Sequence, residues 1–221
     1  DTEGTIAATV LTDITSQTDG TVTAASSGIT ITGTTTDVKA AIVTEATKAV
    51  MTSGKVRLTD TGTVAATVLS GIGAVTEGTV TVNGAMTITG STEEIKNALV
   101  TESSKVIATT SANVTFVGDN PTGAELADIN TAAGGTITLA NDAQTFTGTA
   151  AQMKEAFTGG LANTQTGAVK ISDTEGTIAA TVLTDITSQT NGTVTAAAAG
   201  ITITGTTTEV KAAIVTEATK A

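Results

Sequence analysis

Short runs that alternate polar and aliphatic residues recur along this chain. In residues 79–82 and 86–89, Thr-Val-Thr-Val and Met-Thr-Ile-Thr place threonines on one face of a strand and aliphatic side chains on the other. The dipeptide Asn83-Gly84 between them is typical of a two-residue hairpin turn. The pattern predicts a β-hairpin here. The same reasoning predicts hairpins that join residues 21–23 to 29–32 and residues 136–139 to 145–147.

A first helix is predicted ahead of each hairpin. After a short strand at residues 55–59, the aliphatic residues Val64, Val68, Leu69 and Ile72 follow at spacings that put them on one helical face. Two other segments carry aliphatic residues at the same places: Ile6, Val10, Leu11 and Ile14, and Ile178, Val182, Leu183 and Ile186.

A second helix is predicted after each hairpin, because a hydroxyl residue there is followed three positions later by an acid or an amide. In such a capping box the hydroxyl accepts a hydrogen bond from a helix N–H, and a Glu or Gln reaches back to the backbone of the capping residue. The four pairs are Thr34 with Asp37, Ser91 with Glu94, Thr149 with Gln152, and Thr206 with Glu209. An aliphatic residue and a lysine follow each pair, the lysines being Lys39, Lys96, Lys154 and Lys211.

The whole pattern repeats at intervals of about 57 residues. Residues 173–221 copy residues 1–49 with four differences: Asp19/Asn191, Ser26/Ala198, Ser27/Ala199 and Asp37/Glu209. We therefore predict four repeats: residues 1–58, without a first strand, residues 59–116, residues 117–172, and residues 173–221, a truncated near copy of the first.

These elements predict an α+β fold built from tandem repeats of a small βαββα module. An extra strand at residues 49–52 and 106–109 would give βαββαβ, the ferredoxin-like order. In either form two helices cover one face of a three- or four-stranded sheet, and alternation leaves threonines on the other face. A helix-free β-solenoid is the main alternative fold, and the four capping boxes argue against it.

Composition disfavours several classes of function. The 21 acidic and 10 basic residues give a net charge of -11, which disfavours nucleic acid as a partner. Histidine and cysteine are absent and no pair of acids recurs in a fixed cleft position, so we expect no enzyme and assign no catalytic, cofactor-binding or metal-binding residue. No apolar run approaches the roughly 18 residues of a membrane span. With three phenylalanines and neither Trp nor Tyr, the cores should be aliphatic.

Several local features have both a functional and a structural interpretation. The glycines of Gly71-Ile72-Gly73 and Gly159-Gly160 lack the rest of a phosphate-binding motif and are interpreted as helix ends or packing positions. Residues 119–123 offer oxygens to calcium or form a plain turn. The repeated lysines are interpreted as solvated or as ion pairs between repeats, rather than as isopeptide cross-links. The Thr-x-Thr runs resemble ice-binding faces but also suit any wet sheet face.

The repeated pattern resembles a known class of protein. The motif Gly-Thr-Val-Ala-Ala-Thr-Val-Leu, followed by Gly-Thr-Val-Thr-Val and by Thr-Ile-Thr-Gly-Ser-Thr-Glu-Glu-Ile-Lys, is similar to the repeat arrays of giant bacterial cell-surface and adhesin-type proteins, cyanobacterial ones among them. The resemblance covers the whole chain and carries over no site residue. It implies extracellular display, great length and a structural or adhesive role.

The leading functional expectation is a structural stalk or spacer in a long extracellular surface protein, with neighbouring repeats of the same chain as partners. Copying with little drift preserves a length rather than a pocket, and an acidic surface opposes collapse of the array. The alternative is that the modules themselves bind calcium or carbohydrate during cell adhesion. Sugar sites commonly use aromatic platforms, so the scarcity of aromatic residues favours the first expectation.

A longer parent array is expected, because Ala221 is the counterpart of Ala49, which continues directly into Val50. The gene should encode a near copy of residue 50 onward after Ala221. Sequencing past this codon tests the expectation, and a stop codon or unrelated residues there would contradict it.

Overall fold

The computed structural model describes residues 3–24, 26–44, 49–82, 86–101, 106–108, 111–196 and 198–216. In these residues eight helices are combined with mostly parallel sheets, which confirms a fold that mixes helices and strands. The helices are α1 Ala8–Ser16, α2 Thr35–Ile42, α3 Ala66–Gly73, α4 Thr92–Leu99, α5 Gly123–Ala133, α6 Ala150–Phe157, α7 Ala180–Thr187 and α8 Thr207–Lys211, which a π-helical turn, Ala212–Thr216, continues.

The strands are short and most of them directly precede or follow a helix. They are β1 Glu3–Ala7, β2 Thr23–Ala24, β3 Gly28–Gly33, β4 Val50–Met51, β5 Lys55–Leu58, β6 Thr63–Ala65, β7 Val80–Val82, β8 Thr87–Gly90, β9 Ile107–Ala108, β10 Ala112–Phe116, β11 Gly134–Thr138, β12 Phe146–Gly148, β13 Val169–Ile171, β14 Glu175–Ala179, β15 Val194–Thr195 and β16 Gly200–Thr204.

Strands that pair are separated by a helix, so the chain returns to the same ladder about every 25 residues. Ile6 pairs with Ile31, Ile31 with Val56, and Val56 with Val80, all in parallel. We call the chain between one strand residue and its ladder partner a coil. A parallel pair requires a crossover of a dozen or more residues, and a helix in each coil provides it.

The predicted β-hairpins are wrong. β7 pairs with β5 and β9, whereas β8 pairs with β6 in another sheet, so the two runs beside Asn83-Gly84 are not partners. That dipeptide itself lies outside the described residues. The other two predicted pairs also separate, because β2 pairs with β4, β3 with β1 and β5, and β12 with β13. Alternation identifies a strand but does not identify its partner, and here helical crossovers decide the pairing.

The chain divides into two compact units. Unit 1 comprises Asp1–Thr115 and Ala132–Gly135. Its five-stranded sheet has the order β1-β3-β5-β7-β9, a second sheet contains β6, β8 and β10, and α1 to α4 pack against one another in chain order. Unit 2 comprises Phe116–Thr131 and Thr136–Ala221. It contains the sheets β12-β13-β15 and β14-β16, and α6, α7 and α8 pack in chain order.

The first helices are shorter than predicted. Ile6, Val64 and Ile178 lie in β1, β6 and β14, and the helices begin two residues later, at Ala8, Ala66 and Ala180. The residue before each start is an extended alanine without a side-chain cap, so no sequence signal marks the start. The second helices begin where the capping boxes predict, as the site geometry below shows.

The core is aliphatic, as predicted, with one aromatic cluster. In unit 1, Ile31, Leu58, Leu69 and Ile88 are fully buried between the strands and the helices. In unit 2 the rings of Phe146 and Phe157 meet edge to face with centroids 5.4 Å apart. On the opposite sheet face the threonines of neighbouring strands stand side by side, as predicted, with the pairs Thr5/Thr30 and Thr177/Thr202.

Glycines occupy the points where successive coils come closest. A Cβ atom on Gly167 would overlap the carbonyl oxygen of Gln144 in the preceding coil, and Gly192 stands in the same relation to Gly167. In unit 1, Gly78 faces the carbonyl oxygen of Gly54 in the same way. These positions are therefore closed to any residue with a side chain unless the backbones separate.

Gly167→Ala should destabilise the protein by roughly 1–3 kcal/mol, because the new methyl group meets the backbone of Ala143 and Gln144 in the preceding coil. The control is Gly71→Ala in α3, where an added Cβ meets nothing within 4 Å. That substitution should stabilise by about 0.5–1 kcal/mol through helix propensity. Urea unfolding followed by far-UV circular dichroism measures both, and a Gly167→Ala variant as stable as wild type would contradict the close coil contact.

Candidate functional site

An open groove lies between a second helix and the first helix that follows it, once in each unit. The groove between α2 and α3 has a volume of 560 Å³ and is lined by Thr35, Lys39, Asp60 and Val68, among others. The groove between α6 and α7 has a volume of 330 Å³ and is lined by Ala150, Lys154, Asp173 and Val182, among others. These grooves are the recurrent concave feature of the described residues that combines charged and apolar groups.

An aspartate that lines each groove caps the helix of the preceding coil. The carboxylate of Asp60 accepts hydrogen bonds from the backbone N–H of Thr35 at 2.7 Å and from its hydroxyl at 2.9 Å. Asp173 accepts from the backbone N–H of Ala150 at 2.7 Å. Free N–H groups at a helix start carry partial positive charge and form a ready anion site. The chain fills that site with its own carboxylate.

The groove lysines have different surroundings. The Lys154 ammonium lies 3.2 Å from the Asp185 carboxylate of α7, and both side chains are nearly half exposed. At the place of Asp185, α3 has Gly71, and Lys39 has no acidic partner among the described residues. An exposed pair of this kind contributes at most about 1 kcal/mol. The predicted ion pair between repeats is therefore present at Lys154. Both of its side chains are partly exposed to solvent, so the pair is also a solvated one.

The second helices are capped as predicted. Ser91 and Glu94 exchange hydrogen bonds, with Ser91 N–H donating to the Glu94 carboxylate at 2.8 Å and Glu94 N–H donating to Ser91 Oγ at 3.3 Å. Thr149 with Gln152 and Thr206 with Glu209 form the same reciprocal box. The fourth pair differs, because the shorter Asp37 side chain accepts from the Thr34 hydroxyl at 2.7 Å instead of from its backbone N–H.

The Thr206 backbone and hydroxyl hydrogen bonds lower the pKa of Glu209 below its ordinary value. A lowered folded-state pKa means that the stabilisation is present above the unfolded-state pKa and is lost as pH falls through the folded-state value. The carboxyl group is fully exposed, so the effect on stability is small.

Residues 119–123 form a structured entry to α5. The side-chain oxygen Oδ1 of Asn120 accepts hydrogen bonds from the backbone N–H groups of Ala140 and Asn141, and its side-chain Nδ2 donates to the Asn141 backbone carbonyl. Thr122 and Glu125 form a further reciprocal box at the helix start. The side-chain oxygen of Asn120 is thus committed to backbone groups, which favours the turn interpretation of this stretch.

The remaining candidates fall in secondary structure or turns. Gly71 and Gly73 lie within α3, and Gly159 follows α6 with a φ of 96°. The sequence also has two Asn-x-Thr triplets of the glycosylation type, which begin at Asn113 and Asn191. Asn113 lies in β10, and Asn191 lies in the turn before β15. On the threonine face, Arg57 of β5 stands between Thr32 and Thr81, so charged residues interrupt the rows of threonines.

Within the described ranges, no cluster of three metal-ligating residues occurs, and no helix is long and apolar enough to cross a membrane. Comparisons with protein-family models, with curated proteins and with solved structures gave no match to this chain.

The aspartate caps are the feature that sequence analysis missed. Asp60 is the second residue of one predicted repeat, and Asp173 is the first residue of another. Their partners lie 25 and 23 positions earlier, at the second residue of a capping box. The available signal was the recurrence of Asp 23 to 25 positions after the second residue of a capping box, a spacing close to the length of one coil.

Asp60→Ala should lower the free energy of unfolding by roughly 0.5–2 kcal/mol, the usual penalty for the loss of a helix cap. The Thr35 hydroxyl is also left without its partner in a buried position. Asp13→Ala, which removes an exposed acid from α1, is the control with nearly unchanged stability. Thermal and urea unfolding distinguish the two, and equal stabilities of both variants would show that the cap contributes nothing.

Proposed function

We propose that this chain is a structural stalk or spacer segment of a long extracellular surface protein or adhesin. The observation that carries the proposal is that the recurrent polar side chains are engaged in hydrogen bonds within the chain. Asp60 and Asp173 are occupied by helix N–H groups, and the capping boxes close on themselves. The two aspartates are thus committed to joining one coil to the next, and the capping-box side chains are committed to the start of their own helix.

Tandem repetition forms the second part of the proposal. Each repeat of about 57 residues comprises two coils, one with a first helix and one with a second helix. The proposed repeats keep the boundaries given by the sequence: residues 1–58, 59–116, 117–172 and 173–221. A chain of such units gains length by adding coils, each stabilised by its neighbours, which suits a spacer.

Location and partners follow from the resemblance and the charge. The similarity to repeat arrays of bacterial surface proteins supports an extracellular location. A net charge of -11 favours solubility of a long exposed array. The partners of each coil in this proposal are the coils before and after it.

A stalk predicts that length grows in proportion to the number of repeats. Small-angle X-ray scattering should compare this chain with a variant that carries a second copy of residues 1–172 directly before residue 173. The maximum dimension should rise nearly in proportion to the added residues. A radius of gyration near the roughly 17 Å of one compact globule of 221 residues would contradict the proposal.

A further inference from the structure

Two grooves of similar construction occur in the chain, and they differ in charge. One lies between α2 and α3 in unit 1, and the other lies between α6 and α7 in unit 2. All four helices have eight residues, so the grooves can be compared position by position along their helices. The fifth residue of the second helix is a lysine in both, Lys39 and Lys154, and it lines the groove.

The second groove supplies acids to its lysine from within the chain. Nζ of Lys154 lies 3.2 Å from Oδ2 of Asp185, the sixth residue of α7. Glu155, which follows the lysine, adds a second carboxylate to the groove lining. The capping aspartate of this groove, Asp173, is bound to the Ala150 N–H and is not the partner of the lysine. A capping aspartate therefore does not replace a separate acid beside the lysine.

The first groove has neither of the two extra acids. Ala40 stands at the position of Glu155, and Gly71 stands at the position of Asp185. α3 carries no charged residue, and a Cβ atom on Gly71 would meet nothing within 4 Å. The surface of α3 is therefore open at the position from which α7 presents its carboxylate to the lysine.

The lysine of the first groove is not neutralised. Lys39 is exposed and has no acidic partner among the described residues. The acid in its groove lining, Asp60, is committed to the start of α2: Oδ2 accepts from the Thr35 backbone N–H at 2.7 Å, and Oδ1 accepts from the Thr35 hydroxyl at 2.9 Å. The first groove therefore presents an ammonium group that attracts a carboxylate from outside the chain.

The wall of the first groove is aliphatic. Val64, Ala65 and Val68 line it along the start of α3, and Ala40 lines it from α2. Ala65 is exposed and Val68 is only partly buried, so apolar surface is accessible beside the charge. The groove volume of 560 Å³ lies in the range of small-molecule sites, and burial of an aliphatic chain against such a wall is favourable.

We propose that the groove between α2 and α3 binds a small aliphatic monocarboxylate. The carboxylate group of the ligand lies beside the Lys39 ammonium, as the Asp185 carboxylate lies beside Lys154. The aliphatic chain of the ligand lies along Val68 and Ala65. The groove between α6 and α7 does not bind this ligand, because acids of the chain already neutralise its lysine. The proposal concerns one groove and is independent of the stalk role.

Titration of the isotope-labelled full chain with sodium hexanoate, followed by amide and methyl NMR spectra, tests the proposal. An exposed ion pair is weak, so saturation is expected at millimolar ligand, at a constant ionic strength of about 0.15 M. Signals of Lys39 and Val68 should shift, and those of Lys154 and Val182 should not. Acetate should bind roughly tenfold more weakly, because it lacks most of the aliphatic chain. No saturable shift in the first groove, or equal affinities for acetate and hexanoate, would overturn the proposal.

A dilution series without hexanoate distinguishes a second copy of the chain as the occupant. The Lys39 and Val68 signals should keep their positions at all protein concentrations. Shifts with protein concentration alone would show that an acidic side chain of another copy lies at Lys39, and this result would overturn the proposal.

Two substitutions in the first groove should weaken binding in different ways. Lys39→Gln removes the charge and keeps a long polar side chain, and Gly71→Asp gives α3 the acid that α7 has. Each should lower the affinity for hexanoate about fivefold or more, the factor that matches the upper range of an exposed ion pair. Lys55→Gln is the matched control, since Lys55 is an exposed lysine of β5 outside the groove lining, and this variant should bind like wild type. Far-UV circular dichroism confirms that each variant is folded, and wild-type affinity in both groove variants would overturn the proposal.

The second groove provides a gain-of-binding test. Glu155→Ala combined with Asp185→Ala removes both acids and leaves Lys154 in the situation of Lys39. Hexanoate should then shift the signals of Lys154 and Val182, which it leaves unchanged in the wild type. A folded double variant whose second groove still gives no shift would overturn the assignment of the ligand carboxylate to the groove lysine.

Discussion

Parallel strand pairing sets the distance between successive coils, and the rest of the structure must conform to that distance. Paired strands lie about 4.8 Å apart, whereas helices that pack through ordinary side chains lie about 8–10 Å apart. Strand pairing holds successive coils closer together than ordinary helix packing allows. The start of a helix can therefore contact the end of the neighbouring strand only where both residues are small. A Cβ on Gly33 would lie 3.1 Å from the Cβ of Ala8, and one on Gly90 would lie 3.2 Å from that of Ala66. Glycine at the strand end and alanine at the helix start are consequences of the ladder.

The two copies of one sequence show how strongly a coil depends on its neighbours. Full burial of an isoleucine is worth about 1.5–3 kcal/mol, and Ile14 and Ile214 each forgo a large part of this because no coil among the described residues covers one side of them. Their counterparts Ile186 and Ile42 are buried completely. The free energy of unfolding of such an arrangement is the sum of a modest contribution from each coil and a contribution from each interface between neighbouring coils. Interior coils have an interface on both sides and are therefore the most stable.

Sequence reasoning identified the local elements and failed on their partners. The boxes at Ser91, Thr149 and Thr206 located helix starts to the residue, because a cap is formed by groups three positions apart. The hairpins failed because an alternating run such as β7 looks the same beside an antiparallel or a parallel partner. The Asp60 cap was missed for a related reason: its partner Thr35 lies one coil away, and the coil length cannot be known until the strand pairing is known.

The near-perfect copy after 172 residues has a physical explanation in the order of the helices. A block of that length brings a second helix, α6, directly before a first helix, α7, which is also the order of α2 and α3. The duplicated segment therefore meets a neighbour with the same cap, Asp173 in place of Asp60, and with the same glycine contact, Gly192 in place of Gly78. Duplication creates no new kind of interface. A copied block therefore finds a compatible surface where the order of second helix and following first helix is kept, as it is at α2 with α3 and at α6 with α7.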